Sequence, residues 1–160
     1  LLHRHAEGIL GVARRGGALA VFGENAVHTW MPGVAWQPRP TNFWWWRTGE
    51  DNGMRLRNED DPARQFLAPG ALIWHYHGIL TPPEGAVPLV AVEENGEDAG
   101  CIAYVDRVTT AGEILVTTPD PCFHHGAGFM KGATQLLYSS VRWLDHRTRD
   151  SARAASGPVA

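Results

Sequence analysis

Side chains that can do chemistry are concentrated after the last strand-like segment of the chain. The run 113–118, Glu-Ile-Leu-Val-Thr-Thr, has the composition of a strand, and the loop that follows it contains Asp120, Cys122, His124 and His125. Because ligands in open α/β sheets bind beyond the carboxyl ends of the strands, this order predicts a site at the loop.

Two further polar clusters follow other strand candidates. Glu24 and His28 come after the apolar run 18–22, and His75 and His77 end the candidate strand 71–77. If these strands run parallel to the one at 113–118, all three clusters reach the same edge of the sheet. We therefore expect one ligand pocket at that edge, built from Glu24, His28, His75, His77, Asp120, His124 and His125.

The histidines also permit a metal site. His75 and His77 are two positions apart, so on a strand their side chains point to the same face. With Asp120, His124 or His125 completing the shell, they would suit a divalent metal such as zinc, and the predicted ligands are His75, His77 and His124. A metal-bound water would then serve a hydrolase.

The alternative for these histidines is structural. Next to Trp74 and Tyr76 they would be partly buried aromatic residues that hydrogen-bond to the backbone. The chain has no H-E-x-x-H pattern or comparably specific spacing, so the sequence identifies no cofactor with certainty.

The segment 43–46, Phe-Trp-Trp-Trp, supports two interpretations. Its composition predicts a strand over 41–47, in which Trp44 and Trp46 share one face. Either indole would then form a wall of the pocket and could stack on a sugar ring. The alternative is core packing, or an aromatic surface through which the protein forms a homo-oligomer.

Helix and strand signals alternate in the first part of the chain. Gly16-Gly17 ends a predicted helix, and the apolar run 18–22 predicts a strand buried on both faces. The helix is predicted from apolar residues that share one face: Leu2, Ala6, Ile9, Leu10 and Ala13.

The second half of the chain carries the signals of a hairpin and a long helix. Asn95-Gly96 joins the strand candidates 87–93 and 101–108 and predicts an antiparallel hairpin. An apolar stripe from Met130 predicts a helix that ends near Asp145. The small residues of 151–160 predict a tail without structure.

Composition bounds the function classes. The chain has 160 residues, of which 44% are hydrophobic, and a formal net charge of −3. These values are typical of one domain, and the net charge does not indicate nucleic-acid binding. The chain has no apolar run of about 18 residues for a membrane span and no signal-peptide pattern, so we expect a soluble, cytoplasmic protein. Because Leu1 already lies in a predicted helix, we expect a fragment of a longer protein.

Three segments match the motifs of a known family. They are 16–23 (Gly-Gly-Ala-Leu-Ala-Val-Phe-Gly), 112–118 (Gly-Glu-Ile-Leu-Val-Thr-Thr) and 136–144 (Leu-Leu-Tyr-Ser-Ser-Val-Arg-Trp-Leu). Together they resemble the class I glutamine amidotransferase-like fold, and most closely its trehalose-utilisation type. The resemblance covers about half of the chain.

This resemblance implies an α/β, flavodoxin-like three-layer sandwich with a mostly parallel central sheet, which the hairpin extends in antiparallel pairing. It also implies that the first strands and helices of the fold precede Leu1, so that the domain is N-terminally truncated. We expect residues 1–148 to form a single glutamine amidotransferase-like domain and 149–160 a flexible tail.

The catalytic elbow of the family is missing. Active members carry a nucleophilic cysteine in a G-x-C-x-G turn, whereas Cys101 lies in a predicted strand and Cys122 follows the last strand. Neither cysteine belongs to a C-x-x-C pair, so we expect no disulfide framework.

The sequence therefore predicts a domain without amidotransferase activity that binds a small polar ligand, such as a carbohydrate. The two alternatives are a metal-assisted hydrolase that uses the histidines and a structural or protein-interaction module.

Overall fold

The computed structural model describes residues 1–40 and 44–156, with side chains to 153. Its helices and its seven-stranded sheet form a mixed α/β fold. The strands are β1 (Ala18–Phe22), β2 (Ala35–Pro38), β3 (Met54–Leu56), β4 (Gly78–Thr81), β5 (Val87–Glu94), β6 (Glu97–Asp106) and β7 (Glu113–Thr117). The α-helices are α1 (Leu2–Arg14), α2 (Trp45–Thr48), α3 (Pro69–Leu72), α4 (Pro121–His124) and α5 (Lys131–Ser156). Single 3₁₀ turns span Val27–Thr29 and Pro62–Gln65.

The sheet is centred on β6, which pairs with β4, β5 and β7. Its main path runs β1-β7-β6-β4-β2, and β3 extends it from β5. Among the described strands, β1 and β7 are parallel and the other pairings are antiparallel. The prediction of a mostly parallel sheet is therefore wrong. The short connections from β5 to β6 and from β6 to β7 produce antiparallel neighbours, and β2, β3 and β4 also pair in antiparallel orientation.

Helices cover both faces of the sheet. Ile114 and Val116 of β7 pack in one buried cluster with Leu10 and Ala13 of α1. Leu115, which points to the opposite face, belongs to a second cluster together with Ala133, Leu136 and Trp143 of α5. The alternation of side chains along β7 thus divides the core in two.

Two predicted elements are confirmed by their local signals. Helix α1 ends at Arg14, and Gly16 adopts the positive φ of +86° with which the chain leaves the helix. The hairpin of β5 and β6 turns at Asn95 and Gly96, both of which have positive φ, as a two-residue hairpin turn requires. Strands β1 and β7 also lie where the sequence predicts them.

Strand β1 is less buried than predicted. It lies at one end of the main path of the sheet. Within β1, Val21 is buried, at 6% exposure, and the other residues are half-buried. An apolar run signals burial but does not distinguish a central strand from an edge strand.

Two predicted strands do not form in the described residues. Trp44 lies in a turn and Trp45–Thr48 forms the short helix α2, while residues 41–43, with Phe43, lie outside the described residues. The segment 71–77 begins with the end of α3 and continues without regular structure to β4 at Gly78. Pro69 at the first turn of α3 favours a helix start there, and this signal outweighs the aromatic content that predicted a strand.

Helix α5 continues past the predicted end at Asp145 as far as Ser156. Residues 149–156 are thus helical rather than a tail, while 157–160 lie outside the described residues. Ion pairs within the helix, from Arg147 to Asp150 and from Arg149 to Asp145, favour the extension. Arg147 also pairs with Glu113 of β7 and so ties this part of the helix to the sheet. In the part of the chain that the structure describes, no helix is both long and apolar enough to cross a membrane.

Candidate functional site

The site lies where β7 ends and β4 begins. Both strands pair with the edge of β6 that β5 leaves open: Thr117 of β7 faces Ala103, and Leu80 of β4 faces Cys101. The amide of Thr118 donates to the carbonyl of Ile102, at 2.9 Å, between these two pairings. The chain that leaves β7 therefore meets the chain that enters β4.

The parallel neighbour β1 ends at the same place. The amide of Gly23, directly after β1, donates to the carbonyls of Thr117 and Pro119 at 2.9 and 3.1 Å. These bonds fix the end of β1 to the end of β7. Glu24 and Asp120 follow the two strands and reach the same edge, as the sequence analysis expected for parallel strands.

Three chain segments enclose a cavity of about 410 Å³, which we call the histidine cavity. It is lined by Glu24, His75, His77, Thr118, Pro119, Asp120, Phe123 and His124. The structure thus brings together the predicted site residues Glu24, His75, His77, Asp120 and His124. His75 and His77 come from the irregular segment before β4 and not from a strand.

The three imidazoles contact one another in near-perpendicular pairs. The ring centroids of His75 and His77 are 5.3 Å apart at an interplanar angle of 87°, and those of His75 and His124 are 5.0 Å apart at 77°. Trp74 packs edge-on against both His75 and His124, at 5.4 and 5.6 Å. His75, only 4% exposed, is therefore the central ring of the cluster.

Helix α4 orients His124. The carboxylate of Asp120 accepts a hydrogen bond from the amide of Phe123, at 3.0 Å, and so caps the helix. The Nδ1 of His124 lies 3.0 Å from the carbonyl oxygen of Asp120. Since a carbonyl only accepts, Nδ1 carries the proton, and the lone pair of the neutral ring is on Nε2.

His77 lies beside a carboxylate. Its Nδ1 is 3.4 Å from Oε1 of Glu24, and both side chains are about two-fifths exposed. An Nδ1–H directed at the carboxylate leaves Nε2 as the acceptor of the neutral ring. Glu24, which follows β1, thus orients His77 of the segment before β4 across the cavity.

Burial keeps two of the imidazoles uncharged. Desolvation, with a smaller contribution from the nearby His124, lowers the pKa of His75 to about 4. The same two causes lower the pKa of His77. Both rings are therefore neutral at pH 7, able to donate one hydrogen bond and accept another.

The predicted metal ligands are neighbours, but their rings stand edge to face. Within residues 1–40 and 44–156, no group of three or more histidine, cysteine, aspartate or glutamate side chains is arranged so that it could hold a metal ion. Zinc would require three donor atoms about 2 Å from one point. Binding of zinc or another divalent metal by His75, His77 and His124 stays a prediction.

Sequence analysis missed Thr118 and Phe123 as lining residues. Thr118 is 4% exposed, and its hydroxyl has no hydrogen-bond partner among the described residues. Thr118 directly follows β7, and its position at the carboxyl end of that strand is the signal that would have found it. Phe123, 81% exposed, places an apolar ring beside His124, with 5.0 Å between the centroids.

The tryptophans form a separate, adjoining surface. Trp46 lines a smaller cavity of about 230 Å³ together with Trp74, Phe129 and Lys131, and His75 lies between this cavity and the histidine cavity. Trp44 packs against Trp46 and Phe129, and the Arg47 guanidinium lies over both indoles, at 4.7 and 4.6 Å from their ring centroids. Neither indole lines the histidine cavity itself.

Two predicted site residues lie elsewhere. His28 stacks on Trp36 at 5.9 Å and lines a different cavity next to α1. His125 packs edge-on against Tyr138 at 5.6 Å, and its Nδ1 is 3.4 Å from the hydroxyl of Thr134. Neither residue lines the histidine cavity, because the chain turns away after His124 at the end of α4 and after Glu24 toward the 3₁₀ turn.

The two cysteines are free thiols. Cys101 is buried in β6, and desolvation raises its pKa to about 12. Cys122 is exposed in the first turn of α4.

Comparison of the chain with models of protein families, with curated proteins and with solved structures found no match.

Proposed function

We propose that this protein binds a small hydroxyl-rich ligand, such as a monosaccharide, in the histidine cavity. The observation that carries the proposal is the convergence of hydrogen-bonding side chains from three chain segments on one cavity of about 410 Å³. Small-molecule sites have volumes of roughly 300–1,000 Å³ and a few polar groups that fix the orientation of the ligand.

The polar groups match the needs of hydroxyls. The carboxylates of Glu24 and Asp120 accept hydrogen bonds, and the neutral rings of His75 and His77 both donate and accept them. The exposed ring of Phe123 supplies an apolar face on which a sugar ring can stack. The proposal includes no amidotransferase chemistry, since the pKa of the buried Cys101 thiol is raised and Cys122 is not in a nucleophile elbow.

Calorimetric titration with a panel of monosaccharides tests this proposal. We expect saturable binding to the wild-type protein, with at least about a tenfold loss of affinity in His77→Ala and in Phe123→Ala. His5→Ala, which removes an exposed imidazole on α1, serves as the matched control and should retain the wild-type affinity. A panel in which no sugar binds, or in which His5→Ala loses as much affinity as His77→Ala, contradicts the proposal.

A metal-assisted hydrolase is the second candidate. The observation that favours it is the position of Glu24 beside Nδ1 of His77, because a carboxylate commonly orients a metal-binding histidine in this way. Elemental analysis of untagged protein purified without chelator tests it, together with the His75→Ala/His77→Ala double variant. Near-stoichiometric metal that the double variant loses would favour the hydrolase, and a metal-free wild type would contradict it.

A protein-interaction module is the third candidate. The mutual contacts of Trp44, Trp46 and Phe129, which are 46%, 50% and 63% exposed, favour it as a site for a homo-oligomer. This candidate requires that Trp46→Ser changes the molar mass measured by light scattering whereas His77→Ala does not. The resemblance to the class I glutamine amidotransferase-like fold and the cytoplasmic location stay predictions, and ligand binding does not depend on them.

A further inference from the structure

We infer that the ligand of the histidine cavity carries a flat aromatic group, as an aryl glycoside does, and that this group binds in the adjoining aromatic cavity. This second cavity, which we call the tryptophan cavity, has a volume of about 230 Å³, and Trp46, Trp74 and Phe129 are among the residues that line it. The inference rests on the proposed function and adds a second subsite to it.

The two cavities lie side by side between the same two chain segments. In the segment before β4, Trp74 lines the tryptophan cavity, His77 lines the histidine cavity and His75 lines both. In the segment from α4 to the start of α5, residues 123–124 line the histidine cavity and residues 129–132 line the tryptophan cavity. The pair therefore forms one groove with a polar half and an aromatic half.

Ring contacts cross from one half of the groove to the other. The indole of Trp74 packs edge-on against His75 and His124, with 5.4 and 5.6 Å between the ring centroids. Trp74 lines the tryptophan cavity and His124 lines the histidine cavity, so the walls of the two cavities touch. A ligand that occupies both halves therefore joins its two parts by a short linkage, such as the oxygen atom of a glycosidic bond.

Each cavity supplies what the other lacks. Small-molecule sites have volumes of roughly 300–1,000 Å³ and are lined mostly by apolar and aromatic side chains, with a few polar groups. The histidine cavity is lined mostly by side chains that form hydrogen bonds, and Pro119 and Phe123 are the apolar ones among its described lining residues. The tryptophan cavity is smaller than a complete site, but three indoles line it together with Phe129 and Met130. Together the two have the composition of an ordinary ligand site.

The charges near the tryptophan cavity indicate that the aromatic group is not a cation. Lys131 lines the cavity, and the guanidinium of Arg47 lies over Trp46, 4.6 Å from the ring centroid. Aromatic walls otherwise attract quaternary ammonium groups, but these two cations would repel one. A phenyl ring stacks on the indoles without this cost.

Calorimetric titration with matched methyl and phenyl β-glycosides of D-glucose, D-galactose and D-mannose tests the inference. Within each pair, the two compounds differ only in the group on the anomeric oxygen. For each sugar that the protein binds, we expect the phenyl glycoside to bind at least about tenfold more tightly than the methyl glycoside.

Four variants locate the effect. Trp46 and Phe129 are 50% and 63% exposed, so their replacement leaves the core intact. Trp46→Ala should remove most of the preference for the phenyl glycoside, and Phe129→Ala should reduce it severalfold. His77→Ala changes the histidine cavity alone and should weaken both glycosides by a similar factor. Tyr138→Ala, the matched control, removes a 60% exposed ring that lines neither cavity and should retain the preference.

Equal affinity for phenyl and methyl glycosides, or a preference that survives in Trp46→Ala, overturns the inference and leaves the proposed function in place. Loss of the preference in Phe123→Ala alone overturns it too, because the phenyl group would then bind in the histidine cavity. A changed molar mass of Trp46→Ala in light scattering would overturn it by assigning the aromatic surface to a protein interface. Failure of all glycosides and free sugars to bind overturns both the inference and the proposed function.

Discussion

Gly23 packs directly against the side chain of Asp120. A Cβ atom on Gly23 would lie 3.1 Å from Cβ and 3.2 Å from Oδ2 of Asp120, and Gly23 has a φ of +72°. Only glycine combines this conformation with so close an approach at little cost. The contact joins the end of β1 to the end of β7 at the mouth of the histidine cavity.

Gly23→Ala should therefore destabilise the protein and displace Asp120. We expect a loss of about 1–3 kcal/mol in the free energy of unfolding, measured by chemical denaturation. Gly49→Ala is the control: Gly49 has a nearly identical φ of +71°, but no described atom lies within 4 Å of its Cβ position. If both variants lose the same stability, the contact with Asp120 contributes nothing beyond the backbone strain.

Stability should fall as the pH decreases from about 6.5 toward about 4. Because burial lowers the pKa of His75 to about 4, the unfolded chain binds a proton at a higher pH than the folded protein does. Between pH 7 and 4.5 this histidine should account for a loss of about 2–3 kcal/mol.

Unfolding by urea at both pH values, in the wild type and in His75→Gln, measures this contribution. The variant has no group to protonate at this position, so its stability should decrease by less than that of the wild type over the same interval. Equal decreases in the two proteins would show that His75 is not the source of the acid sensitivity.

Substitution by alanine should change the free energy of unfolding in opposite directions at two glycines. A Cβ on Gly112 would lie 2.0 Å from the carbonyl oxygen of Gly17 and 2.7 Å from that of Ala13, and neither backbone atom can move aside. Gly112→Ala should lower the free energy of unfolding by at least about 2 kcal/mol. Gly8 lies within α1 with open space around its Cβ position, so Gly8→Ala should raise it by about 0.5–1 kcal/mol. Thermal denaturation of the two variants checks both signs.

The two thiols should differ in reactivity. Cys122 is exposed and should react at once with a disulfide reagent such as DTNB, whereas Cys101 is buried with its pKa raised to about 12 and should react only after unfolding. Native Cys122→Ser should therefore show almost no rapid reaction, and the same variant in denaturant should show one thiol. Rapid labelling of native Cys122→Ser would contradict the burial of Cys101.

The elements that the sequence predicts well are those with local signals. Helix α1 ends before Gly16-Gly17, and the hairpin turns at Asn95-Gly96, because these residues adopt backbone conformations that few others can. The segments 41–47 and 71–77 lack such signals, and aromatic content alone predicted strands that the described residues do not form. Propensity is weak where tertiary contacts decide the conformation.

The sequence predicted most residues of the candidate site, but it did not predict how the strands bring these residues together. Glu24 and Asp120 meet because β1 and β7 are parallel, which is the reason that the sequence suggested. His75 and His77 join them because β4 begins on β6 where β7 ends. This relationship depends on the register of strands far apart in the chain, and periodicity within one segment carries no information about it.

The shared edge of β6 sets the width of the histidine cavity in discrete steps. The two sides of the cavity are attached to β4 and β7, and these strands pair with β6 at Cys101 and at Ala103, respectively. A change in spacing would require a shift of register, which moves a strand by about 3.3 Å per residue and, for an odd shift, exchanges its two faces. Gradual widening by sliding is therefore blocked, and ligands of different size must be accommodated by the side chains and loops beyond the strands.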